Sequence, residues 1–231
     1  REPVRKAVAQ WDAQELEEAI TAAKGAGGMV RTMAEWAQHP QAQAIAQLPL
    51  MEIVKIGEAA PEPLPAGDRP LSGVSVLDLT RVIAGPTCAR TLAEHGADVL
   101  KITAAHLPSL GRQEYDTGHG KLSAQLDLRE AKDVETLTGL VRGADVFSQG
   151  YRPGTLGARG FSPEALAALR PGIVCVSLCA FGHTGPWASR RGFDTVIQTV
   201  SGITHRQGEL FPGKEPGPQF YPVSAIDYLT G

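Results

Sequence analysis

The apolar positions of this chain change their period partway along it. Residues 1–48 read as helical. Leu16, Ile20 and Ala23 make an apolar stripe at helical spacing behind Asp12, an N-cap residue with Glu15 three places on. Gly25-Ala26-Gly27-Gly28 stops that helix. A second pattern follows Thr32, with Met33, Trp36 and Ala37 on one face and Pro40 as a breaker. Leu48 to Ile56 reads as a short strand. From Val74 the pattern becomes strand, helix, strand, helix. Strands are predicted at 74–79, 97–102, 123–128, 144–147 and 173–178. Helices are predicted from Pro86 to about His95, from Glu130 to Arg142, and from Ser162 to Arg170. The last strand, Ile173-Val174-Cys175-Val176-Ser177-Leu178, is almost wholly apolar, the pattern of a strand covered on both faces. Alternation of this kind predicts an α/β fold, a Rossmann-like, doubly wound, mostly parallel sheet.

Between the two regimes lies Gly57–Pro70, with four prolines and four charged residues, an extended linker by composition. The expected organisation is therefore a small helical segment (1–56), a Pro-rich linker (57–70) and an α/β domain (71–231). Gly96-Ala97-Asp98-Val99 and Gly143-Ala144-Asp145-Val146 echo each other, which repeated helix-to-strand junctions explain.

Composition narrows the function. Lys and Arg number 22 against 25 Asp and Glu, giving a net charge of −3 without a basic patch, which disfavours nucleic acid. The longest apolar runs fall far short of the roughly 20 residues of a membrane helix. Three cysteines make no disulfide framework, and Cys175 and Cys179 show no metal-ligand pattern with a nearby His. A cytoplasmic protein is expected, without a metal and without a membrane partner. The chain opens with Arg1 rather than Met, so residues are expected to precede it.

A doubly wound sheet binds ligands at the carboxyl ends of its strands, which directs attention to the loops. Thr80-Arg81-Val82-Ile83-Ala84-Gly85-Pro86 is not a G-x-G-x-x-G fingerprint, and Lys101-Ile102-Thr103 offers no acid for a ribose. A nicotinamide oxidoreductase is disfavoured. A small-residue turn feeding a helix still presents backbone N–H groups to an anion or a carbonyl oxygen.

Taken in order, the loops carry a resemblance. Leu71 to Pro86, Gly96 to Ile102, Gly120 to Leu128, Ala144 to Gly154 and Phe181 to Pro186 resemble five successive blocks of the class III CoA-transferases, the carnitine dehydratase/bile-acid-inducible family. The resemblance implies an aspartate nucleophile in a sequence such as Ala-Asp-Tyr-Leu-Thr-Gly, carried here by Asp227 in Ala225-Ile226-Asp227-Tyr228-Leu229-Thr230-Gly231. A carboxylate suits this role, being ionised at neutral pH without a general base. The family chemistry implied is an acyl-aspartyl anhydride followed by an aspartyl-CoA thioester, moving CoA from an acyl-CoA to a carboxylic acid. Coenzyme A is then a substrate, and no resident cofactor is expected.

The resemblance also implies binding roles. Val82, Ile83 and Ala84 are expected to contact the thioester and pantetheine, and Lys121, Arg152 and Arg159 to meet phosphates. Departures are visible. Thr103 stands where the family commonly has an acid, Leu122 is another, and Ala158 precedes Arg159 where an Arg is usual. Racemases on this frame resemble the chain at Gly192-Phe193-Asp194 but carry His at the position of Phe193, and a phenyl ring moves no proton. Dehydratases and a catalytically inactive CoA-binding unit are further alternatives. His183 and His205 read as polar loop residues. Cys88 falls in the first turn of a predicted helix, where a dipole lowers thiol pKa values, although a packed small residue accounts for it as well. Gly27 to Trp36 resembles the C-terminal part of the family's smaller domain, out of its usual order, as expected for a piece of a protein with two tandem family-like units. An interlocked homodimer, or interlocked tandem units, is the implied assembly.

Overall fold

The computed structural model describes residues 2–108, 111–213 and 216–231. Its helices are α1 (Glu2–Val8), α2 (Ala13–Ala22), α3 (Met33–Gln38), α4 (Pro40–Ile45), α5 (Ala84–Glu94), α6 (Arg112–Thr117), α7 (Ala131–Val141), α8 (Pro163–Leu169), α9 (Asp194–Val200), α10 (Ile203–Leu210) and α11 (Ala225–Thr230). Its strands are β1 (Ser75–Leu79), β2 (Asp98–Thr103), β3 (Lys121–Gln125), β4 (Val146–Gln149) and β5 (Val174–Ser177). The chain forms two compact units. One holds the residues through Glu52 with Ala180–Ile226, and the other Ile53–Cys179 with Asp227–Gly231.

The Pro-rich segment is extended but tied down within the second unit. Arg170 donates Nη2 to Glu62 Oε2 at 2.6 Å and Nη1 to Glu62 Oε1 at 2.8 Å, and Nη2 also reaches Asp145 Oδ1 at 3.1 Å. The expected strand at 48–56 does not form; those residues carry no regular structure.

The five strands are all parallel, in the order β3-β2-β1-β4-β5. Alternation along β1 sends successive side chains to opposite faces. Val76 packs with Ala89, Ala93 and Val99 under α5. Leu77 and Leu79 join Ile102, Leu137, Val141, Phe147 and Leu166 under α7 and α8. Leu137 is wholly buried, so its truncation to Ala costs about 2–5 kcal/mol. Helices thus cover both faces, the doubly wound arrangement expected. β5 departs from expectation. It is apolar yet lies at the sheet edge, and Val174 is 56% exposed.

In the first unit, Asp12 caps α2 by accepting from Gln14 and Glu15 N–H, and Thr32 with Glu35 forms a full capping box on α3. Pro40 breaks α3 and also opens α4, whose N-cap is the His39 ring. The buried residue of α2 is Glu17, not one of its apolar stripe. Its carboxylate takes both Arg31 Nη atoms, at 2.6 and 2.7 Å, and the Met29 N–H at 2.8 Å. Burial and pairing compete at Glu17, and the pairing holds its pKa below the ordinary value. Arg31 and Arg190 both lie over the Trp187 ring.

Candidate functional site

A sheet ordered 3-2-1-4-5 reverses direction between β1 and β4, so the crevice beyond their carboxyl ends is the place for a ligand. The loop leaving β1 is held from below by a buried carboxylate. Asp78 Oδ1 accepts from the Thr80 N–H at 3.0 Å and from the Thr80 hydroxyl; Oδ2 accepts from Lys121 Nζ at 2.8 Å. Lys121 also donates to the Pro86 carbonyl at 2.8 Å, linking β3, β1 and the first turn of α5.

So fixed, the loop takes an unusual course. Val82 has φ of 73°, a left-handed conformation that a β-branched residue adopts at a cost of about 1–3 kcal/mol. Gly85 is obligatory: a Cβ there would lie 2.3 Å from Thr80 Cβ. No side chain caps the N-terminus of α5, which starts at Ala84, so its first N–H groups look into the crevice mouth with the positive end of the helix dipole.

The turn carrying Asp227 arrives at the same place. Asp227 is half-buried in α11, and its carbonyl accepts from the Gly231 N–H at 3.1 Å. Gly231 in turn presses on α5, where a Cβ would fall 2.1 Å from the Ala84 oxygen and 2.8 Å from Thr87 Cβ. Tyr228 donates its phenol to Asp116 Oδ2 at 3.1 Å. Val82, Ile83, Ala84 and the turn holding Asp227, far apart in sequence, are therefore gathered at one end of the sheet.

The expected phosphate contacts fare differently. The Lys121 ammonium is engaged by Asp78 and Pro86, and its side chain is 1% exposed. Arg152 is exposed beyond β4. Arg159 lines a cleft of about 130 Å³ at the carboxyl ends of β1, β2 and β3, and donates Nη1 to the Leu128 carbonyl at 2.5 Å. The cleft is smaller than the roughly 300–1,000 Å³ of an enclosing ligand pocket, room for one end of an extended molecule.

Sequence reasoning missed three residues lining this cleft: His106, Arg129 and Tyr151. The Arg129 guanidinium grips Asp127, with Nη2 to Oδ2 at 2.5 Å and Nε to Oδ1 at 2.8 Å, and holds that carboxyl far below the usual range. His106 Nδ1 lies 3.3 Å from Asp127 Oδ2. Burial pushes the Tyr151 phenol up, against the pull of Arg81 and Arg159. The missed signal was Asp127-Leu128-Arg129 directly after a strand, where an Asp that accepts the N–H two residues on makes a tight turn.

Other candidates resolve simply. Burial pushes the Cys88 thiol up, with Asp78 adding to it, the opposite of the lowering a helix N-terminus gives. His183 lies 3.4 Å from Glu52 and His205 3.9 Å from Glu209. Among the described residues, no group of three His, Cys, Asp or Glu side chains is placed to hold a metal, and no helix is long and apolar enough to cross a membrane.

Residues 71–231 match the profile described as CoA-transferase family III. An acetyl-coenzyme A transferase, nodX, of Hypoxylon pulicicidum is 29% identical over 99% of this chain and 40% of its own length. The succinyl-CoA:glutarate CoA-transferase of Homo sapiens is 33% identical over 71% of the chain and 39% of its own length. Among solved structures, Rv3272 from Mycobacterium tuberculosis superposes with a TM-score of 0.64 at 31% identity, over 70% of this chain and 47% of that one. A CAIB/BAIF family protein from Brucella suis gives 0.59 at 32%, over 70% and 46%. The chain thus spans about two-fifths of the curated relatives it matches. With the parallel sheet, the loop after β1 and the profile match in agreement, the chain belongs to CoA-transferase family III.

Proposed function

We propose that the protein containing this chain moves coenzyme A from an acyl-CoA to a carboxylic acid, with Asp227 as the covalent nucleophile. The observation that carries the reading is the seating of the Asp227 turn, through Gly231, on the first turn of α5 beside the strained Val82. The Asp227 carboxylate attacks the thioester carbonyl; the C–S bond breaks and CoA leaves as thiolate, giving an acyl-aspartyl anhydride. The thiolate then attacks the aspartyl carbonyl, releasing the first acid and leaving an aspartyl-CoA thioester. The acceptor carboxylate repeats the sequence: it displaces the thiolate to form a second anhydride. Thiolate attack on the acceptor's acyl carbon then yields the new acyl-CoA and frees Asp227. Uncapped N–H groups at the start of α5 suit the oxyanion that forms at each step. We assign the cleft bordered by Arg129, Arg159 and Tyr151 to the nucleotide end of CoA.

Incubating the full-length protein with an acyl-CoA and then hydroxylamine tests this. A hydroxamate at Asp227, absent in Asp227→Ala together with exchange activity, supports it; full activity in Asp227→Ala removes it. The burial of Lys121, which takes away one expected phosphate contact, favours a second reading, a CoA-binding unit without catalysis. That reading predicts calorimetric binding of CoA and no exchange with any acid. The phenyl ring of Phe193, at the position where related racemases carry His, argues against proton shuttling there.

A further inference from the structure

The reaction asks one carboxylate to form and break two kinds of acyl bond without moving its backbone. α11, which carries it, is a six-residue helix, far below the roughly 12–15 residues at which an isolated helix holds itself together. Its position must come from outside. Gly231 supplies one attachment, against Ala84 and Thr87 at the start of α5. A second leaves from Tyr228, immediately after Asp227. Its phenol donates to Asp116 Oδ2 at 3.1 Å, while Asp116 Oδ1 accepts from Arg90 Nη1 at 2.8 Å. Arg90 lies further along the same α5, with its Nε 3.3 Å from Glu94 Oε1. One end of the turn thus rests on the first residues of α5, and its side chain is tied through α6 to the middle of that helix.

We propose that Asp116 is a positioning residue for the reaction, fixing the Asp227 turn on α5 by joining Tyr228 to Arg90. This rests on the reading of Asp227 as nucleophile. The contacts of the Asp116 carboxylate are to Tyr228 and Arg90, so its part is indirect. It acts by choosing where the attacking oxygen is, and misplacement on the ångström scale is enough to slow an attack by one to two orders of magnitude. A carboxylate is well suited to such a junction. Its two oxygens take both donors at once, and charge on Arg90 strengthens the pair.

In the full-length protein, Tyr228→Phe and Asp116→Ala are each expected to lower kcat about tenfold while KM for the acyl-CoA stays within twofold. The double variant loses no more than either single one, because both cut the same tie. Amide exchange over residues 225–231, followed by mass spectrometry, quickens in each variant. Asp116→Glu, which keeps the charge, recovers part of the kcat lost in Asp116→Ala. Unchanged kcat and exchange in Tyr228→Phe, or losses that multiply in the double variant, overturn the proposal. Asp227→Ala separates this from the underlying reading. Full activity there removes the nucleophile, whereas faster exchange in Tyr228→Phe still upholds the tie.

Discussion

Lys121 Nζ and Asp78 Oδ2 lie 2.8 Å apart with their side chains 1% and 0% exposed. A pair so enclosed is harder to break than to replace. Asp78→Asn leaves a buried ammonium facing a neutral amide and the Pro86 carbonyl, and is expected to cost about 3–5 kcal/mol in urea unfolding. Asp78→Leu with Lys121→Met removes both charges but takes the partners from the Thr80 N–H and hydroxyl and the Pro86 carbonyl, so about 1–3 kcal/mol is expected. A double variant less stable than Asp78→Asn would refute this ordering.

Val82→Gly acts in the opposite direction. Releasing a β-branched residue from a φ of 73° returns about 1–3 kcal/mol, against about 0.5–1 kcal/mol of added chain entropy in the unfolded state. We expect stability to rise by about 1 kcal/mol and kcat to fall, because the loop is freed. A loss of stability above about 1 kcal/mol would show that the strain is not held at Val82.

Gly231→Ala places a methyl group 2.1 Å from the Ala84 oxygen, a backbone atom that cannot swing aside. The end of α11 has to lift off α5. We expect roughly a tenfold drop in kcat in steady-state assays, with a much smaller effect on the urea midpoint because the change is confined to one short turn. A midpoint that falls sharply while kcat is kept would contradict that account.

His39 makes the first unit sensitive to acid. Its Nδ1 accepts the Gln41 N–H at 3.1 Å, so that nitrogen must stay unprotonated to cap α4. Burial between Trp36 and Trp187, helped by the Arg31 charge, pushes its pKa below the ordinary 6.5. The unfolded chain therefore binds the proton first. The stability it contributes is complete above about pH 6.5 and drains away as pH falls from there through the lowered value. Thermal unfolding followed from mildly alkaline to mildly acidic pH should show a steeper fall for the parent than for His39→Asn, which still caps α4 but does not titrate. Equal slopes would exclude His39 as the cause.

The strands were legible because β-branched and apolar residues cluster between glycine-marked helix ends, and each observed strand overlaps its expected range. Apolar content alone misled at β5, since an edge position and not composition leaves Val174 exposed. The pairing of Lys121 was not legible, because its partner Asp78 sits two strands away, across a pairing that no local window contains. The conformation of Val82 was invisible in the sequence, because valine is among the residues least suited to it. The Pro-rich segment was legible as extended, but not its capture by the distant Arg170. Asp116 carried no signal, being one acid among many until the fold set it between Arg90 and Tyr228.

The strand order also sets a timetable. Val76 pairs with Val99 on one side of β1 and with Val146 on the other. At about 5–20 residues per second, the second neighbour leaves the ribosome roughly 2–9 s after the first. Throughout that interval β1 has one bare edge, and the loop beyond it lacks the wall that β4 provides. Asp227 follows roughly 4–16 s later still. A nascent chain therefore holds its apolar central strand open long before Asp227, the proposed nucleophile, exists, and it is during synthesis, rather than in the finished protein, that this unit most needs protection from other chains.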